Sequence, residues 1–212
     1  MRNRLPPRFA SPDDLASGPR RTHRRMPLLV STVAFACAAS AGPVTYEIDP
    51  SHTYPSFEAD HLGISVWRGK LDHTTGHVTI DKAAGSGSVD LVVDLASIDF
   101  GQAELNVWAT GPQFFDVKQY PTATYKGALA DFVAGVPTRV AGELSLHGVT
   151  RPVVLKINSF RCIPHPLLKR ELCGADAVAT FRRDEFGLTA GKDYGFNMDV
   201  LLRIQVEALA AP

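Results

Sequence analysis

From Val44 onward the polarity of the chain alternates at every second residue, and few folds tolerate that period over such a length. In Val89-Asp90-Leu91-Val92-Val93-Asp94-Leu95, the residues Val89, Leu91, Val93 and Leu95 share one face, with Asp90 and Asp94 opposite. Near the C-terminus Met198, Val200, Leu202, Ile204 and Val206 share a face, and Asp199, Arg203, Gln205 and Glu207 share the other. Successive side chains of a strand point to opposite sides, so each run is a strand with one dry and one wet face. The same reasoning predicts strands over 44–49, 56–67, 71–81, 123–133, 137–147, 152–161 and 174–182. Turns are marked by Gly85-Ser86-Gly87, Gly135-Val136-Pro137 and His147-Gly148-Val149. One stretch departs from the pattern. Gln102 to Thr110 carries Leu105 and Trp108 three apart and stops at Gly111-Pro112, as a short helix does. Eight or more short strands around one or two brief helices describe a sandwich or a closed antiparallel barrel. An eight-stranded barrel is just wide enough for a slender ligand.

Charge divides the chain in two. Residues 1–41 hold seven Arg and two Asp, while 42–212 hold 15 Lys/Arg and 20 Asp/Glu. Within the first part, Arg20-Arg21-Thr22-His23-Arg24-Arg25 precedes an uncharged apolar run from Pro27 to Ala38 that closes on Ala39-Ser40-Ala41. That order of features predicts a secretory signal peptide over 1–41, cleaved after Ala41, with a domain over 42–212 in the periplasm. The apolar run is shorter than the roughly 20 residues of a permanent spanning helix. Two variants of this reading stay open: initiation at Met26, which removes the arginines, and lipidation at Cys37 within Ala34-Phe35-Ala36-Cys37. A twin-arginine signal is resembled only loosely. The acidic body has no basic run beyond Lys169-Arg170 and Arg182-Arg183, so it offers nothing to neutralise a nucleic acid backbone.

Three stretches carry a family resemblance. The first is Asp49-Pro50-Ser51-His52-Thr53-Tyr54-Pro55-Ser56-Phe57-Glu58-Ala59-Asp60-His61-Leu62-Gly63. The second, Phe114-Phe115-Asp116-Val117-Lys118-Gln119-Tyr120-Pro121-Thr122-Ala123-Thr124-Tyr125, is close to F-D-x-x-x-Y-P-x-A. The third, Gly142-Glu143-Leu144-Ser145-Leu146-His147-Gly148-Val149-Thr150-Arg151-Pro152-Val153, is close to G-x-L-x-x-x-G-x-T-K/R-P. Together they resemble the YceI-like family of lipid- and polyisoprenoid-binding proteins, over nearly all of 44–207. The resemblance implies an all-β, eight-stranded antiparallel lipocalin-like barrel with an isoprenoid tail in its interior and, as in many members, export from the cytoplasm. It implies no catalytic residues and no covalently bound cofactor.

Strand parity then nominates the lining: Phe57, Leu91, Val93, Tyr125, Leu144, Leu146, Val200 and Leu202, with Trp108, Phe114 and Phe115 as a gate. Each CH₂ of a tail taken out of water is worth about 0.8 kcal/mol, and such a lining supplies that burial. An inward Leu is also ordinary core, and only the resemblance weights these residues toward a ligand. His61 shares the inward parity and needs a hydrogen-bond partner, from the protein or from the polar end of a ligand. Cys162 and Cys173 bracket a ten-residue loop with two prolines, and an even pair in an oxidising compartment reads as a disulfide. A metal site of Cys162, His165 and Cys173 lacks a fourth ligand at zinc spacing. On one strand His73 and His77 stand about 13 Å apart and cannot share an ion. Three functions are weighed: a carrier of an isoprenoid quinone or polyprenyl phosphate, a redox accessory presenting quinone to a membrane haem protein, and an enzyme using His52 or His61 as general base. A second copy of the chain, as a homodimer, stands among the conceivable partners.

Overall fold

The structure is a computed structural model and describes residues 42–212, so the expected leader, its cleavage site and Cys37 lie outside the described residues. Eleven strand segments form one sheet that closes on itself as an eight-stranded antiparallel barrel. Eleven segments make eight staves because three staves are jointed. The first consists of β1 (Val44–Ile48) and β2 (Tyr54–His61), the second of β3 (Ser65–Leu71) and β4 (Thr74–Asp81). The third is β5 (Ser86–Asp94) and β6 (Ile98–Asp99), joined by a 3-10 turn at Leu95–Ser97. Five continuous staves follow: β7 (Thr122–Ala130), β8 (Arg139–Leu146), β9 (Val149–Pro164), β10 (Glu171–Arg182) and β11 (Asp199–Ala210).

Both halves of the first stave pair with β11, and this closes the ring. Tyr46 lies opposite Ala210 and Ile48 opposite Ala208, while Tyr54 lies opposite Gln205 and Ala59 opposite Val200. Thr53 bridges the joint between them. Its hydroxyl donates to the Glu207 carbonyl (3.1 Å) and accepts from the Glu207 amide (3.0 Å), restoring the ladder where the backbone leaves it. At the second and third joints the Asp94 amide donates to the His73 carbonyl (3.0 Å) and the Asp72 amide to the Ser97 carbonyl (3.1 Å). Thr53, Thr74 and Leu95, one at each joint, are each 1% exposed.

The predicted strand 56–67 is in fact a hairpin, with β2 ending at His61 and β3 starting at Ser65. Leu62 and Gly63 take left-handed φ values of 57° and 70°, and the Asp60 carboxylate accepts the Gly63 amide (3.0 Å). Apolar alternation runs straight through Leu62, Ile64 and Val66, which concealed the turn. The predicted helix is α1 (Ala103–Thr110), with the Gln102 side chain capping its N-terminus and Gly111 closing its C-terminus. It follows β6, which stands at the free edge of the sheet. Asp99 and Asn106 fasten it there: Asn106 Nδ2 donates to Asp99 (3.1 Å), and the Phe100 amide donates to Asn106 Oδ1 (2.8 Å). Strand directions put the β2–β3 hairpin, α1 and the 183–198 segment at one end of the barrel. The turns after β4, β7 and β9 share the other end with both termini of the domain.

Candidate functional site

The barrel interior is not filled. A cavity of about 570 Å³ runs along it, lined almost wholly by apolar side chains. Inward parity delivers at least three residues from each stave, and the register holds them in rings. Phe57 of β2 faces Leu202 of β11, and Leu91 of β5 faces Tyr125 of β7, which in turn faces Leu144 of β8. Val93, Leu146 and Val200 complete the expected wall residues, and all of these line the cavity. So do Trp108 of α1 and the Phe114-Phe115 pair that follows it. Trp108 stacks on Phe114 with centroids 5.1 Å apart, and Phe114 lies 4.7 Å from Phe115.

His61 is the exception among the expected site residues, because it does not line the cavity. Its ring stacks on Trp67 (4.2 Å, 11° between planes) and meets Phe196 edge-on (5.0 Å). Aromatic packing holds the ring where a hydrogen bond was expected. Trp67 itself lines the cavity, as do Phe100 and Phe196, and none of these was expected. Trp67 lies opposite Ala59 across the β2–β3 ladder, so its parity becomes readable once the turn is placed at Gly63. Phe100 and Phe196 sit outside regular strands, where a period of two gives no signal.

Polar groups in the wall are few. The Tyr125 hydroxyl donates to the Val153 carbonyl (2.8 Å), and burial pushes its pKa up to about 12. The Thr74 hydroxyl is buried without a hydrogen-bond partner among the described residues. Arg183 reaches the cavity with a guanidinium bonded to two backbone carbonyls. A lining of this kind buries a long apolar molecule and gives it few directional contacts.

Geometry argues against hydrolysis at His52. The residue is exposed, and its Nδ1 meets both Asp49 Oδ2 (2.7 Å) and Ser51 Oγ (3.1 Å). A nucleophilic triad needs the acid on one ring nitrogen and the serine on the other. Here both sit on the same nitrogen, outside the cavity, as side-chain support for the Asp49–Thr53 joint. Hydrogen bonds from Ser51 and His52 hold the Asp49 carboxyl below its usual range, and the Asp49 hydrogen bond raises the His52 pKa.

Cys162 and Cys173 form the expected disulfide between facing positions of β9 and β10. Glu171 Oε lies near both sulfurs, but the thiols are consumed in the bond. His165 is turned into its own loop, where Nδ1 accepts the amides of Leu167 (3.2 Å) and Leu168 (3.1 Å).

A closed antiparallel barrel around a long apolar cavity is the form of a lipocalin-like lipid-binding barrel. The chain belongs to the YceI-like family: the YceI-like domain model matches residues 46–208. A UPF0312 protein of Pseudomonas putida (strain W619) is 31% identical over 160 residues, covering 73% of this chain and 82% of the relative. A UPF0312 protein of Vibrio cholerae (strain O395) is 30% identical over 128 residues, 60% of this chain and 68% of the relative. Among solved structures, BcnA of Burkholderia cenocepacia superposes with a TM-score of 0.61 at 23% identity, over 76% of this chain and 99% of that one. A polyisoprenoid-binding domain from Saccharophagus degradans gives a TM-score of 0.59 at 19% identity, over 79% and 99%. At such identities these two establish the shared fold.

Proposed function

We propose that this protein is a periplasmic carrier of a polyisoprenoid, an isoprenoid quinone or a polyprenyl phosphate, whose tail lies along the barrel interior. The observation that carries the reading is the cavity itself: about 570 Å³ of apolar-walled space, within the usual range for bound small molecules. A tail threaded there gains about 0.3 kcal/mol per atom at ordinary ligand efficiencies, hence roughly tenfold in affinity per five-carbon unit. Binding of this sort asks for shape and dryness and gives no role to a nucleophile. The Saccharophagus domain, named for polyisoprenoid binding, supports the choice of tail. Export through residues 1–41 fits the Cys162–Cys173 disulfide, since such bonds persist in oxidising compartments.

The test is a pair of mass spectra, native and denaturing, of the full chain expressed with its own leader. We expect a bound mass that is released on denaturation and fragments as a prenyl compound. The denatured polypeptide should begin at Gly42 and lack two hydrogens for the disulfide. A folded protein that carries no lipid, and takes up neither added quinone nor prenyl phosphate, would sink the carrier reading.

A further inference from the structure

Among the described residues one cation lies in the cavity wall, whose other polar members include Thr53, Thr74 and Asp60, the last with its carboxylate accepting the Gly63 amide. Arg183 opens the 3-10 turn after β10 and is only 7% exposed. Its guanidinium carbon lies 6.0 Å over the Phe114 ring, at the barrel end that carries α1. Nη1 donates to the Leu188 carbonyl (2.7 Å) and Nη2 to the Ala190 carbonyl (2.6 Å). A guanidinium has five N–H donors, so three remain beyond those two bonds. Ala190 and Gly191, beside it in the lining, are small and leave room there.

Among the described residues no carboxylate forms an ion pair with this guanidinium. Buried charges are ordinarily paired, because carbonyl dipoles solvate a cation without neutralising it. The adjacent acid, Asp184, turns its Oδ2 to Arg182 and Lys192, each at 2.9 Å, while its buried Oδ1 has no hydrogen-bond partner among the described residues and its charge favours the protonated Arg183 without pairing with it. Burial accordingly pulls the Arg183 pKa down, although arginine stays protonated. Bracing two loop carbonyls needs donors but not a charge, so the loop alone does not account for a guanidinium here.

We propose that Arg183 is the head-group subsite of the cavity and selects a lipid with an anionic, phosphate-type head over a neutral one. This rests on the carrier reading and narrows it. The tail occupies the apolar bore, and the oxyanion accepts the spare N–H donors of Arg183 beside the aromatic pair Trp108 and Phe114. Arginine suits the task because its planar fork matches a phosphate oxyanion.

The experiment compares solanesol with solanesyl phosphate, which share a tail and differ in the head, by calorimetric titration of the delipidated protein. Charge-assisted hydrogen bonds to a phosphate predict at least about tenfold tighter binding of the phosphate by the wild type. Arg183→Gln should bring the two ligands within about twofold of each other, and Arg183→Lys should keep most of the preference. Equal wild-type affinities overturn the proposal with the carrier reading intact, whether or not any variant folds. A preference that survives Arg183→Gln overturns it too. If the wild type binds neither ligand, the carrier reading fails and this inference falls with it.

Discussion

Tyrosines and glycines from separate stretches of the sequence meet as partners on the barrel wall. A methyl group on Gly142 would lie 2.7 Å from the Tyr125 ring and 2.5 Å from the Lys126 carbonyl. One on Gly148, which has φ of +75°, would lie 2.8 Å from the Tyr120 ring. The second and third motifs of the sequence are therefore two sides of one contact: the tyrosines of one lie on the glycines of the other. From Gly142 the Tyr125 hydroxyl reaches across β8 to the Val153 carbonyl of β9. Burial holds its pKa at about 12 in the folded protein, against about 10 in an unfolded chain. The folded pKa is raised, so this stabilisation is fully present below pH about 10 and is lost as pH rises through about 12. Tyr125→Phe should cost about 1 kcal/mol at neutral pH for the lost hydrogen bond and should flatten the alkaline decline. Tyr46 is also held protonated, by burial and then by its hydrogen bond to Glu171 and the charge of Glu171. It remains in both proteins, so the difference between their urea midpoints from pH 9 to 12 isolates Tyr125. Curves that stay parallel would contradict the assignment.

Among the elements, the strands were legible and the joints were not. Alternation around Leu91 and Leu202 placed β5 and β11 and put their apolar faces inward, where the cavity lies. A period of two reports which face a residue takes, and it continues across a joint that keeps the parity. The break at Asp49–Thr53 left a side-chain trace, since Thr53 supplies the two hydrogen bonds that the backbone forgoes there. The hairpin at Leu62-Gly63 hid inside an apolar run, and Trp67 was missed with it. His61 had the right parity but the wrong neighbours, because partners contributed by β3 and the 183–198 segment become visible only in three dimensions. The β9–β10 pair was read well from its cysteines. Their bond links residues 11 apart, so replacing both by serine should cost about 3 kcal/mol, or roughly 6–12 °C in melting temperature. Thermal melts of Cys162→Ser/Cys173→Ser beside the wild type check this. An unchanged melting temperature would mean that residual structure in the unfolded chain already closes this short loop.

For the whole molecule, emptiness is the property that needs explaining. Protein interiors are close-packed, and an apolar void forfeits contacts that a tighter core would make. Small residues maintain the void: Ala175 and Ala177 on β10 stand where larger side chains would meet across the bore. Ala177→Phe should accordingly be tolerated, with folding stability shifted by less than about 1 kcal/mol, because the ring enters free space. Tail binding should weaken by about tenfold or more, since that ring and the tail compete for the same volume. Melting curves and quinone titrations of the variant separate these effects. A large loss of stability with unchanged binding would show that the bore near Ala177 is closed in solution.

The joints carry a consequence for traffic. Beyond them β2, β3 and β6 form a panel that is hydrogen-bonded to the rest of the barrel along β11 and ends in a two-residue free edge at β6. Below them β1, β4 and β5 belong to the closed ring. Local opening costs only the contacts of the unit that opens. A panel bounded in this way is expected to open without unfolding the ring. Under the carrier reading, the barrier for a tail to enter or leave is then expected to follow that panel and the helix beside it, while the stability of the barrel as a whole is free to be much higher.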